Sequence, residues 1–138
     1  MIGTKVMLRI RMGSADAHYA GELVNGSHIL DIFGDVGTEL CIRNDGDESL
    51  FAGYSSVEFL APVYAGDFIE YVGWIEERGK SSRTCKFEAY KVIELARDEN
   101  LALSAANVLN PPVLVGRATG TLVVKKSEQR GPQDPAFK

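Results

Sequence analysis

Spare cysteines, long apolar runs and a surplus of positive charge are all missing from this 138-residue chain, and each absence removes a class of protein. The two cysteines, Cys41 and Cys85, stand far apart with no C-x-x-C spacing, which argues against a disulfide framework and against a zinc site. No stretch approaches the roughly 18 to 20 apolar residues of a membrane helix. No charged-then-apolar leader precedes a cleavage site; Met1-Ile-Gly-Thr-Lys runs straight into alternating sequence. The net charge is −4 and the pI ≈ 5.2, so an electrostatic footprint for nucleic acid is not expected. There is no internal repeat and no low-complexity tract. With 45% hydrophobic residues the chain has enough apolar material for one core. The expectation is a soluble, cytoplasmic protein with no membrane, nucleic-acid or metal partner. A single domain is placed at residues 1–126, with a polar tail at 127–138 lying along its surface.

Lys5 to Met12 alternates, with Val6, Leu8, Ile10 and Met12 on one face of a half-buried strand. Gly13 to Gly26 reads as a polar loop. From Ser27 the period becomes helical through Ile29, Phe33, Val36 and Leu40, with Asn25 or Ser27 as N-cap and Asn44-Asp-Gly-Asp as the stop. Gly34 and Gly37 inside that helix imply something packed closely against it. Long strands are then expected at 50–60, 67–77, 82–95 and 113–126, with 96–110 as an insertion holding a short helix or a ragged connection. One helix among long antiparallel strands is an α+β arrangement, and the sheet buries the helix best by curling around it. The open edge and remaining face of such a sheet call for another subunit, with a dimer joined edge to edge.

The helix carries Asp31, Asp35 and Glu39 at i, i+4, i+8, on one face. Like charges at that spacing repel, and burial raises the cost. Either this is a solvated face, or a cation binds it, or one carboxyl stays protonated as an acid. In the second and third cases the face is shielded from bulk water and looks into a cavity. His18 and Tyr19 in the preceding loop offer an acid/base group and a donor. Asp16 and His18 form at most a metal pair without a third ligand. His28 reads as structural. Asn44 to Glu48 resembles half a calcium loop but lacks the downstream glutamate, and reads as a turn. Tyr54 and Glu58, four apart on one strand, are expected to share a face. Gly79-Lys-Ser-Ser-Arg83 suits phosphates or an ordinary hairpin. Gly116 and Gly120 permit close approach in a sheet.

Several stretches carry a family likeness. The glycine-containing loop, the helix from Asn25, Val57-Glu-Phe-Leu-Ala-Pro-Val-Tyr-Ala-Gly-Asp67 and Gly79-Lys-Ser-Ser82 resemble the hotdog-fold acyl-CoA enzymes. A narrower likeness is to the small CoA-ester ammonia-lyases acting on 3-aminobutyryl-CoA and β-alanyl-CoA. It is carried by Asp16-Ala-His-Tyr19, Phe33-Gly-Asp-Val-Gly-Thr-Glu-Leu40, Asp45-Gly-Asp47, Phe59-Leu-Ala-Pro-Val63, Lys86-Phe-Glu-Ala89, Gly116-Arg-Ala-Thr-Gly120 and Gln129-Arg-Gly-Pro132. The resemblance implies a hotdog sheet wrapped around one helix and elimination of ammonia from a β-aminoacyl-CoA thioester. CoA would be part of the substrate, with no separate cofactor. It further implies active sites at a homodimer interface and a trimer of dimers.

In this chemistry Asp35 and Glu39 take proton transfer and ammonium binding, with Asp35 as the favoured base and Asp31 as a third carboxylate. His18 and Tyr19 orient the substrate. Asn25, Gly26 and Ser27 hold the thioester oxygen at the helix start, where Gly26 has no side chain to block the approach. Tyr54 and Glu58 line the substrate, and Lys80, Arg83 and Arg130 contact CoA phosphates. Hydrolysis of the thioester by the same carboxylate, and non-catalytic binding of an acyl-CoA, are the competing readings.

Overall fold

Period-two alternation governs the two central strands, β6 (Phe68–Arg78) and β7 (Ser82–Leu95), in the computed structural model, which describes residues 2–138. Ile69, Tyr71 and Ile75 on β6, with Cys85, Phe87 and Ala89 on β7, all turn to one buried face. They belong to an antiparallel sheet ordered β1-β6-β7-β8-β4, where β1 is Lys5–Arg11, β4 is Leu50–Phe59 and β8 is Ala106–Val123. One helix, α1 (Gly26–Asp45), lies across the inner face and buries Ile29, Phe33, Val36, Leu40 and Cys41 against it. This is the α+β hotdog arrangement. Among the described residues no helix is long and apolar enough to cross a membrane.

Helix and sheet approach closely at glycines. A Cβ on Gly73 of β6 would lie 2.7 Å from Val36 Cγ1, and one on Gly37 would lie 2.9 Å from Leu122 Cδ2. Gly34, by contrast, meets nothing within 4 Å, so close packing explains only one of the two helix glycines. Gly120 takes the Phe51 ring in the same way, at 2.6 Å. Gly73→Ala is expected to destabilise the fold by about 1–3 kcal/mol through overpacking. Val36→Ala in the same chain should recover part of the loss, measured by denaturant midpoint at fixed protein concentration.

The helix stops as its sequence dictates, with Gly46 in the left-handed conformation (φ 71°) and its N–H on Ile42 O at 2.8 Å. Elsewhere the chain is more ordered than its pattern suggests. The loop 13–25 holds β2 (Ala17–Tyr19) and β3 (Leu23–Val24), which pair with β5 (Val63–Tyr64) in a small second sheet. Strands of two or three residues are too short to register as periodicity. β8 also begins earlier than expected, at Ala106. Pro111 and Pro112 interrupt its ladder, because proline has no N–H to give, and pairing resumes with Ile93 opposite Val108. Only 96–105 remains as a hairpin tip, closed by Ala96 N–H on Ala105 O at 2.8 Å.

The tail is docked against the domain. Arg130 N–H and Gln133 N–H bond Asp45 O and Arg43 O, Thr4 Oγ1 donates to Ala136 O, and Phe137 is buried in the core.

Candidate active site

Asn25 has the extended backbone of an N-cap (φ −71°, ψ 148°), yet its side chain caps nothing. Its amide donates to Ser27 Oγ instead. His28 N–H finds Asn25 O at 3.1 Å. Gly26 and Ser27, the first two helical residues, keep N–H groups with no protein acceptor among the described residues, at the positive end of the helix dipole. Gly26 lines an apolar recess of about 390 Å³ with Tyr19, Val24, Ile29, Phe59 and Pro62. The room at Gly26 is taken up in part by Phe59, since a Cβ there would lie 2.9 Å from the ring. The ring itself is 55% exposed. Phe59 was visible in the sequence only as one member of a motif.

The acidic face is not shielded within one chain, contrary to expectation. Asp31 and Asp35 are exposed and Glu39 is half-buried. A single helix packed on one face of a sheet leaves its outer face to solvent. The three carboxylates also differ. Glu39 accepts from Arg43 Nε at 2.9 Å, and Arg43 Nη1 donates to Asp134 Oδ2 at 2.5 Å, so Glu39 is already neutralised. Asp31 stands on the Tyr54 side of the helix. Burial first, then the charge of Asp31, pushes the Tyr54 phenol up to about 12, which keeps it protonated as it donates to Leu30 O at 3.2 Å. Asp35 has neither an ion-pair nor a hydrogen-bond partner among the described residues.

Tyr54 and Glu58 do not share a face. The pairing of β4 with β8 shifts register between Tyr54 and Ser56, and one extra residue reverses the alternation. Tyr54 turns in under α1, while Glu58 pairs outward with Arg117 Nε at 2.8 Å. Tyr19 lines the recess, with exposed His18 edge-on to its ring at 4.9 Å. Asp16 turns away from His18 toward His28, whose Nε2 is 3.7 Å from Asp16 Oδ1. Among the described residues no group of three or more His, Cys, Asp or Glu could hold a metal ion.

Arg83, expected to contact a CoA phosphate, is instead buried and bound to the protein, so it is not available to one. Its guanidinium forks onto Asp45 at 2.9 and 2.8 Å and donates to Gly79 O and Ser82 O. Lys80 and Arg130 are exposed, but they stand by the C-terminal end of α1, where Arg130 Nη1 donates to Gly46 O. A 20-residue helix, about 30 Å long, separates that end from Gly26. Burial pushes the Cys41 and Cys85 thiols up to about 11 and about 12, so neither is a nucleophile near neutrality.

Residues 21–94 match the thioesterase superfamily. Over 126 residues, 91% of this chain and 98% of the other, the sequence is 56% identical to a 3-aminobutyryl-CoA ammonia lyase of Acetoanaerobium sticklandii. The β-alanyl-CoA:ammonia lyase of Clostridium propionicum superposes with a TM-score of 0.95 at 54% identity, over 100% of this chain and 96% of that one. A hexameric hotdog fold thioesterase of Campylobacter jejuni shares the fold at a TM-score of 0.70 and 19% identity, over 94% and 90% of the two chains.

Proposed function

The chain belongs to the thioesterase superfamily and, within it, to the CoA-ester ammonia-lyases, and from that premise we propose that it eliminates ammonia from a β-aminoacyl-CoA thioester, converting 3-aminobutyryl-CoA to crotonyl-CoA. The observation that carries this is identity above one half along nearly the whole chain to two proteins named as ammonia lyases. The likeness to the Campylobacter thioesterase extends to the fold alone.

At neutral pH the β-amine is an ammonium group, already in leaving-group form. A carboxylate takes a proton from the carbon beside the thioester, which supplies about 10²- to 10⁴-fold. The thioester oxygen gains charge and is held by the N–H groups of Gly26 and Ser27, each such donor being worth about 3–4 kcal/mol. The C–N bond breaks, the double bond forms, and ammonia leaves with the proton the carboxylate took. Asp35 is the base. Asp31 holds the ammonium, with Glu39 in a lesser part because Arg43 already balances it. Tyr19 orients the acyl chain, with His18 behind it.

Asp35 follows Gly26 by nine residues, about 13 Å along the helix axis. The carbon that loses the proton is bonded to the thioester carbonyl carbon, so one chain's Asp35 does not reach a thioester held at its own Gly26. A second copy completes the site. β4 is a ten-residue edge strand with one side of its ladder open and with Leu50, Val57 and Phe59 exposed. Two copies joined there about a two-fold axis extend the sheet and run their helices antiparallel, bringing the acidic face of one toward Gly26 of the other and covering it. Exposed Leu101, Leu103 and Val108 on the β7–β8 hairpin suit association of three such dimers.

The test is to mix the protein with crotonyl-CoA and ammonia. The enoyl-thioester absorbance should fall without release of free thiol, and β-alanyl-CoA run beside 3-aminobutyryl-CoA should be the poorer substrate. Thiol release would make the protein a thioesterase, and ester binding without turnover would make it a binding module.

A further inference from the structure

Gly34 is left without a reason inside its own chain. It stands in the middle of α1, where a Cβ would meet nothing within 4 Å, and its backbone is not left-handed, so alanine would fit both the space and the conformation. Glycine at a helix interior position costs stability relative to alanine, because the unfolded chain has more freedom to lose. At Gly37, three residues on, the close approach of Leu122 offsets that cost; Gly34 has no such contact among the described residues. The need for a missing side chain therefore lies outside the chain.

Helical spacing sets Gly34 between the groups assigned to the chemistry. Asp31 comes three residues before it, Asp35 one residue after and Thr38 four after, and the four form one patch of helix surface. Asp31 and Asp35 lie about 6 Å apart along the axis. In a β-aminoacyl thioester the carbon that gives up its proton and the nitrogen are joined through one atom, the β-carbon. With the first against Asp35 and the second against Asp31, the β-carbon lies over Gly34. The surface there is not all polar: Thr38 Oγ1 donates back to Gly34 O at 2.9 Å, which occupies the hydroxyl and leaves the methyl group. Side chains on a helix tilt toward its N-terminus, so one at position 34 would lean over the turn that bears Asp31, into the place of a substituent on that carbon.

We propose that Gly34 determines acyl specificity: the space above it receives the substituent on the β-carbon, the methyl group that separates 3-aminobutyryl-CoA from β-alanyl-CoA. The assignment rests on the lyase reading above and on the parts given there to Asp31 and Asp35.

Gly34→Ala puts a methyl group of the protein where the substrate's methyl group lies. Elimination is followed as the rise of enoyl-thioester absorbance, with 3-aminobutyryl-CoA and β-alanyl-CoA in parallel. The ratio of kcat/KM for the first ester over the second should fall by about ten-fold or more, as for one methyl group in a close-fitting site. The denaturant midpoint at fixed protein concentration should rise, since alanine is the better helix former. Lost discrimination in a more stable protein is the opposite of what a packing role gives. Sedimentation velocity on the same variant should show the wild-type assembly. An unchanged ratio overturns the inference. So does an equal loss on both esters with dissociation of the assembly, which would make Gly34 a contact between the helices of two copies. If the wild-type protein eliminates ammonia from neither ester, the lyase reading fails and this inference with it; wild-type turnover with an unchanged ratio in the variant overturns this inference alone.

Discussion

Asp35→Asn is expected to lower kcat for ammonia addition to crotonyl-CoA by about 10²- to 10⁴-fold, the range for removal of a positioned base. Asparagine keeps the size of the side chain and removes its ability to take a proton from carbon, so KM should change far less than kcat. Glu39→Gln should cost less, since Arg43 neutralises that carboxylate through a 2.9 Å hydrogen bond. A larger loss for Glu39→Gln would move the base to that residue. Near-normal turnover in both variants would refute a carboxylate base on this face.

The second large effect lies at the other end of the helix. Asp45 and Arg83 are each 4% exposed and joined by two parallel hydrogen bonds, with Asn44 Nδ2 adding a third to Asp45 Oδ2 at 2.9 Å. Asp45→Ala leaves the guanidinium buried without its counter-charge and is expected to cost about 3–5 kcal/mol, read from denaturant unfolding at one protein concentration. The pH dependence has a definite sign. Burial alone would raise the Asp45 carboxyl, but the hydrogen bonds from Arg83 and Asn44, with the charges of Arg83 and Arg78, hold it below the ordinary carboxylate range. Its contribution is therefore full above the unfolded value, about 3.9, and fades as pH falls through the lower folded value. Asp45→Asn should show a shallower loss of stability with acid over that window than the wild type does.

The elements with long, regular patterns were legible in the amino-acid order: α1 from Asn25 to Gly46, and the alternation of β6 and β7. So was the acidic stripe, because helical spacing alone puts Asp31, Asp35 and Glu39 on one side. What escaped depends on contacts between distant residues. The bulge near Ser56, which sends Glu58 to Arg117 and Tyr54 to Leu30 O, has no local signature. Arg83 sits in a stretch that reads as a polar turn, and only the fold brings Asp45 to it across 38 positions. The exposure of Asp35 was also hidden, because a pattern reports that a face is polar without saying whether a second chain covers it.

Subunit complementation tests the shared site most directly. Gly26→Pro removes one N–H donor while keeping the helix, since proline is well accepted at a first helical position and Asn25 already has the extended backbone that precedes proline; its added carbons also push aside the exposed Phe59 ring, 2.9 Å from a Cβ at 26, and the intact site of a mixed dimer carries neither change. Alone, Gly26→Pro and Asp35→Asn should each lose most of the ammonia addition. Unfolded and refolded together, they should recover about a quarter of wild-type activity, because half of the dimers are mixed and each mixed dimer has one intact site. No recovery, with mixed dimers shown to form, would contradict a site made of Gly26 from one copy and Asp35 from the other.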